Sequence, residues 1–188
     1  AGTDVLVCCG SGGVGKTTTA AALGLEAAHR GRRAVVVTID PAKRLADALG
    51  VPGGLGNDPV RIPVPHASGE LWALMLDTAT TFDGLVRANA ATPDQAERII
   101  ANRFYRNIAG SLSGTQEYMA AERLHALHHD PRFDLVIVDE AHNAKTDTTF
   151  ATLKRITPCA ILELTATPVP RRTNVLYSVG ARELQAED

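Results

Sequence analysis

The sequence predicts a three-layer α/β fold, in which a mostly parallel sheet lies between helices and a helical insertion occupies about residues 80–130. Two observations predict it. Short apolar runs of strand length alternate with Ala- and Leu-rich segments of helix length, which is the pattern of strand–helix–strand units. Such units are right-handed and bring their strands together in parallel. The 188 residues are expected to form a single domain.

The strands are predicted from apolar runs that end at glycines or polar residues. They are residues 4–9, 34–39, 71–76, 134–138 and 160–164. The helices are predicted from composition and from their end signals. They are residues 16–30, 41–49, 146–155 and a block of short helices at about 80–129, in which Thr92 to Gln95 and Ser113 to Gln116 read as capping boxes. A Gly- and Pro-rich loop is expected over residues 50–69.

The composition indicates a protein without a general basic surface. Lys and Arg number 19 and Asp and Glu number 21, which gives a formal charge of −2. No apolar run reaches the roughly 18 residues that a membrane span requires, and no basic and apolar leader follows Ala1. The three cysteines, Cys8, Cys9 and Cys159, are expected to be buried reduced thiols, and the expected location is therefore cytoplasmic.

A glycine-rich loop follows the first predicted strand and leads into the first predicted helix. Gly10, Gly15, Lys16 and Thr17 fit G-x-x-x-x-G-K-[ST] without a gap. Glycines allow backbone N–H groups to surround phosphate oxygens, and Lys16 and the Thr17 hydroxyl can contact the phosphates and Mg²⁺. The pattern predicts a P-loop NTPase that binds ATP and Mg²⁺. The expected nucleotide contacts are Gly12, Gly13, Val14, Gly15, Lys16, Thr17 and Thr18.

The stretch GSGGVGKTTTAAALGLEAAHRGRRAVVVTIDPAKRLADALG resembles the anion-transporting (ArsA-like) ATPases, and the resemblance covers about residues 3–139. It implies ATP hydrolysis, with Asp40 beside the attacking water; a helix N-cap is the alternative role for this carboxylate. In that family, a lysine early in the phosphate loop reaches across a homodimer. This chain has Ser11 at that position, so a dimer is possible but would lack the signature lysine.

The last part of the chain, about residues 134–188, resembles superfamily 2 helicases, particularly the translocating subunit of type III restriction enzymes. Asp139 to His142 (DEAH) and Thr165 to Thr167 (TAT) carry this resemblance. It implies that Asp139 holds Mg²⁺, that Glu140 is the general base and that DNA is a possible partner. The chain is therefore interpreted as a chimera of two P-loop branches, joined near residue 139 and truncated in its helicase part.

The two resemblances predict different sheets and different bases. An anion-transporting ATPase would place the strand ending at Asp139 next to the phosphate-loop strand, whereas a helicase would insert another strand between them. Asp40 and Glu140 are accordingly rival catalytic bases. The leading hypothesis is a Mg²⁺-dependent ATPase. The alternatives are a truncated ATPase motor of a DNA helicase or restriction translocase, and a nucleotide-binding module with little turnover.

Overall fold

A computed structural model describes residues 3–10, 13–39, 43–106, 115–139 and 158–164. The strands in these ranges are β1 (Asp4–Gly10), β2 (Arg33–Thr38), β3 (Val60–Ile62), β4 (Glu70–Met75), β5 (Leu135–Asp139) and β6 (Ala160–Leu164). The helices named here are α1 (Lys16–His29), α2 (Arg44–Ala48), α3 (Thr78–Asn89), α4 (Pro93–Ala101) and α5 (Thr115–His128). All five predicted strands are present, and β3 is an addition that the sequence analysis missed.

The strands form one sheet in the order β3-β4-β2-β5-β1-β6. The pairing of β3 with β4 is antiparallel, and the other neighbouring pairs are parallel. The predicted α/β class with a mostly parallel sheet is therefore confirmed. β5 lies directly beside β1, in a register that runs from Asp4 opposite Leu135 to Val7 opposite Val138. This adjacency is the one expected of an anion-transporting ATPase, and no strand separates the two as a helicase would require.

Each face of the sheet has its own apolar core. One core contains Cys8, Val36, Leu71 and Ile137 together with buried residues of α1 and α2. The other joins alternate residues of the same strands to Leu124 and Leu127 of α5. α1 packs tightly, because a Cβ on Gly24 would lie 2.7 Å from Cγ2 of Val36 and 2.9 Å from Cδ1 of Leu71. Successive side chains on a strand point to opposite faces of the sheet, so each residue at the carboxyl end of a strand belongs to one of these two faces.

Helices α3, α4 and α5 account for the predicted helical insertion. α3 begins where Asp77 accepts hydrogen bonds from the backbone N–H groups of Ala79 at 2.9 Å and Thr80 at 3.1 Å. The N-cap predicted at α4 is confirmed, because the Thr92 hydroxyl accepts from the N–H of Gln95 at 3.2 Å. The Gln95 side chain accepts from the N–H of Ala91 at 2.9 Å, one residue before the N-cap that a capping box would use. The second predicted capping box begins at Ser113, which lies outside the described ranges.

The cysteine predictions are only partly correct. Cys8 and Cys9 are buried in β1 as expected, but Cys159 is exposed. It precedes β6, which occupies the end of the described sheet order, so fewer neighbours cover it. None of the helices within the described ranges has the length and apolar character needed to cross a membrane.

Ionic contacts join three strands at the amino ends of the sheet. Arg32 donates from Nε to Oδ1 of Asp134 and from Nη2 to Oδ2 of Asp4, both at 2.8 Å. The backbone N–H of Arg33 also donates to Asp134 at 3.1 Å. Burial alone would raise the pKa of Asp134, but the hydrogen bonds and charges of Arg32 and Arg33 outweigh it and hold the pKa below its usual range.

We expect Asp134→Asn to reduce the free energy of unfolding at pH 7 by about 1–2 kcal/mol, because the two arginines lose a charged acceptor. A carboxylate with a lowered pKa stabilises the fold above its unfolded-state pKa of about 3.9, and this contribution is lost as the pH falls below that value. The difference between parent and variant in urea unfolding should therefore shrink as the pH falls through this range. Asp47→Asn removes the same charge from an exposed position on α2 and controls for the change in net charge.

Candidate functional site

The phosphate-loop glycines adopt backbone conformations that other residues rarely adopt. Gly13 has φ 77° and Gly15 has φ 82°, and a Cβ at either position would meet no heavy atom within 4 Å. At Gly10 the constraint is closeness, because a Cβ there would lie 1.9 Å from the carbonyl oxygen of Leu164. The loop thus leaves β1 against β6, and its glycines keep side chains out of the space where a phosphate would lie.

The amino end of α1 is the second component of this site. Gly15 occupies the N-cap position, where its lack of a side chain leaves no capping hydrogen bond. The first N–H groups of a helix need acceptors and carry a partial positive charge, which phosphate oxygens can satisfy. Val14 and Thr17 are half-buried here, and Thr18 is exposed. The arrangement fits a polyphosphate, with the Thr17 hydroxyl available to a bound cation.

Lys16 is the first residue of α1, and its side chain is only 3% exposed. The charge of Lys16 influences the pKa of the Cys9 thiol. Burial raises this pKa most, the charge of Glu163 raises it further, and the charge of Lys16 opposes both. The Lys16 ammonium therefore lies close enough to the carboxyl end of β1 for its charge to act on Cys9.

Asp139 ends β5 and is fully buried, with 0% exposure. In the sheet register it lies opposite Thr38, the last residue of β2. On its other side lies Cys8 of β1: burial, and then the charge of Asp139, raise the pKa of the Cys8 thiol to about 12. A buried carboxylate is costly unless hydrogen bonds or a cation compensate it. Such an oxygen donor beside a phosphate loop suits Mg²⁺.

The structure brings one part of the predicted site together. Lys16, Thr17 and Asp139 lie at the carboxyl edge formed by neighbouring strands β1 and β5. Several other predicted site residues fall outside the described ranges, and so do the motif residues of the helicase resemblance that follow Asp139. These residues are Ser11, Gly12, Asp40, Glu140, His142 and Thr165 to Thr167. The predicted roles of Asp40 and Glu140 stay predictions.

Two neighbours of Asp139 were missed in the sequence analysis. Cys8 and Thr38 flank its position in the sheet and lie on the same face, the one covered by α1. The sequence did contain a signal for Thr38. It is the first polar residue in the apolar run of the second strand, and it lies two residues before Asp40. No such signal marked Cys8, since a thiol in a buried strand usually reports only packing.

Comparison with known proteins supports one of the two resemblances. The sequence profile of the anion-transporting ATPases matches residues 3–156. The chain belongs to the anion-transporting ATPase family. The match continues past Asp139, where the resemblance to these ATPases was expected to end. The proteins reported below include no helicase, so the predicted chimera and its helicase segment gain no support.

The relatives of this chain include a mycobacterial and a fungal protein. The chain is 37% identical over 145 residues to Protein Rv2184c of Mycobacterium tuberculosis, covering 72% of this chain and 34% of that protein. It is 26% identical over 141 residues to ATPase GET3 of Malassezia globosa, covering 75% of this chain and 40% of that one. The chain thus spans between a third and two fifths of the length of these two relatives.

A solved structure with a similar arrangement is cobyrinic acid a,c-diamide synthase from Mycobacterium smegmatis, with bound ADP and magnesium. The TM-score is 0.46 and the sequence identity is 20%, and the alignment covers 87% of this chain and 74% of that one. The tyrosine kinase domain of BceF gives a TM-score of 0.44 at 19% identity, covering 85% of this chain and 55% of that one. Neither likeness carries an argument about function.

Proposed function

We propose that this chain binds ATP with Mg²⁺ and hydrolyses it. The observation that carries the proposal is the placement of Lys16 at the first residue of α1 and of buried Asp139 at the end of the adjoining strand β5. The loop N–H groups and Lys16 bind the phosphates, and the Thr17 hydroxyl and the Asp139 carboxylate supply oxygen to the cation. Family membership supports this assignment independently.

Magnesium is the cation that suits these donors. Mg²⁺ prefers hard oxygen ligands and retains several waters, so one carboxylate, one hydroxyl and phosphate oxygens form an adequate set. When bound, it would neutralise negative charge on the phosphate oxygens. Asp139 also raises the pKa of the Cys8 thiol, which places its negative charge beside β1 and near the start of the phosphate loop.

Asp40 is our candidate for positioning the attacking water. It follows Thr38 by two residues, and Thr38 lies opposite Asp139 in the register of β2 with β5. The carboxyl ends of parallel strands are where such sheets bind their ligands. Glu140 remains the rival base, since it follows Asp139 directly in sequence.

Two alternative functions predict different effects of DNA and different rates of ATP turnover. A DNA-dependent motor rests on the DEAH and TAT sequence motifs, and the direct pairing of β1 with β5 disfavours it. A nucleotide-binding module with little turnover rests on Ser11 in place of the signature lysine, which also bears on whether a homodimer forms. DNA-stimulated turnover would favour the motor, and tight binding with slow turnover would favour the module.

The proposal is tested by thermal unfolding with and without MgATP. A ligand that binds only the folded state, at about 100 times its Kd, adds roughly 2.7 kcal/mol. For a chain of this size we expect the Tm to rise by about 5–10 °C. Magnesium chloride alone is the control, and release of inorganic phosphate measures turnover. A Tm that MgATP leaves unchanged at millimolar concentration would refute the proposed nucleotide site.

A further inference from the structure

We propose that Thr38 is a positioning residue whose hydroxyl orients the Asp139 carboxylate toward Mg²⁺. The inference rests on the proposed function, since it concerns how the cation site of that function is held in place. It assigns a role to a residue outside the phosphate-loop motif. Thr38 would act through Asp139 and would not itself touch the nucleotide.

The placement of the two residues is the first argument. β2 and β5 are parallel neighbours, and Thr38 and Asp139 are directly paired in their register. Alternation along β2 sends Val35 and Val37 into the α5 core and Val36 into the α1 core, which puts Thr38 on the α1 side. The same alternation along β5 puts Asp139 there too, two residues after Ile137. Paired side chains on one face are near enough to interact.

Burial is the second argument. Thr38 is 3% exposed and Asp139 is 0% exposed, so water has little access to the space between them. Thr38 also lines a small cavity with Lys43, Leu45 and Met75, and its backbone carbonyl accepts the N–H of Leu76 at 2.8 Å. The backbone of Thr38 is thereby fixed between β4 and β5. A hydroxyl carried on a fixed backbone next to a buried carboxylate is suited to orient it.

The chemistry of the two flanking side chains is the third argument. Thr38 lies on the β2 side of Asp139, and Cys8 lies on the β1 side. A hydroxyl is a much better hydrogen-bond donor than a thiol. Of these two neighbours, Thr38 is therefore the one able to hold the carboxylate in a chosen orientation. Groups that orient metal ligands typically contribute 10- to 100-fold to metal affinity.

The test measures the Mg²⁺ requirement for nucleotide binding in Thr38→Val and Thr38→Ser. Valine keeps the shape and removes the hydroxyl, whereas serine keeps the hydroxyl and removes a methyl group. The probe is fluorescent methylanthraniloyl-ADP, titrated in EDTA and then at increasing Mg²⁺. We expect Thr38→Val to raise the half-saturating Mg²⁺ concentration by about tenfold. Thr38→Ser should stay within about threefold of the parent.

Binding in EDTA is the internal control. It depends on the loop and on Lys16, so Thr38→Val should leave it unchanged, whereas general damage to the fold would weaken binding in both conditions. If the valine variant does not melt cooperatively, Thr38→Ala replaces it, with the same expected change in Mg²⁺ requirement. A parent-like Mg²⁺ requirement in the hydroxyl-free variant would overturn the role of Thr38. A parent that binds no nucleotide at all would overturn the proposed function with it.

Discussion

Lys16→Ala should abolish the rise in Tm produced by MgATP and reduce ATP turnover by at least about a hundredfold. Lys16 carries its charge into the phosphate loop at the first residue of α1, where it is only 3% exposed. An ammonium shielded from water in this way interacts strongly with phosphate oxygens. Alanine removes the charge and leaves the glycine conformations of the loop available.

Arg30→Gln is the matched control for this variant. It removes one positive charge just past the other end of α1, where the Arg30 side chain is 76% exposed and pairs with Glu26. An exposed pair of this kind contributes little to stability, so its MgATP response should equal that of the parent. The unliganded Tm of each variant is measured alongside. An Lys16→Ala protein that MgATP still stabilises by several degrees would contradict the assignment of Lys16.

Asp40→Asn should lower kcat by about 10²- to 10⁴-fold, the contribution that a positioned general base usually makes. Nucleotide binding should persist, because the variant leaves Lys16, Thr17 and Asp139 in place. Glu140→Gln should change kcat by no more than about threefold. Both substitutions replace a carboxylate with an amide of nearly the same shape, so the comparison isolates the charge. Phosphate release and fluorescent nucleotide binding separate the two effects.

The opposite ranking would reassign the base. If Glu140→Gln lost turnover and Asp40→Asn kept it, the residue implied by the helicase resemblance would be the base, although β5 lies beside β1. Adding single-stranded and double-stranded DNA to each assay tests that resemblance further. We expect DNA to leave the turnover of the parent unchanged. A turnover near zero in the parent, with MgATP bound, would instead identify the module with little turnover.

The strands could be predicted because their apolar runs are long enough for full burial and are bounded by clear end signals. The run at residues 34–39, for example, became β2 with only a one-residue shift at each end. β3 could not be predicted, because three residues within a Gly- and Pro-rich loop carry no period of their own. Its pairing with β4 depends on tertiary contact, which local pattern does not encode.

Site residues that belong to a sequence motif could be predicted, whereas residues brought together only by strand pairing could not. The spacing of Gly10, Gly15, Lys16 and Thr17 predicts a phosphate loop from sequence alone, and the structure places these residues at the end of β1, just before α1 and at the start of α1. The adjacency of Thr38 to Asp139 depends on β2 and β5 being neighbours, although 100 residues or so separate them along the chain. The sequence also suggested a chimera, from the DEAH and TAT motifs, and the family match over residues 3–156 gives that interpretation no support.

The contacts of Arg32 have a mechanical consequence for the site at the other end of the same strands. Its guanidinium, next to the start of β2, donates hydrogen bonds to Asp4 of β1 and to Asp134, which precedes β5. These are the strands whose opposite ends carry the phosphate loop, Asp139 and Thr38. Strands clamped at one end cannot readily slide past one another. Because the backbone pairing of the three strands acts together with these contacts, we expect nucleotide binding to move the segments attached to the sheet and to leave the spacing between the strands unchanged.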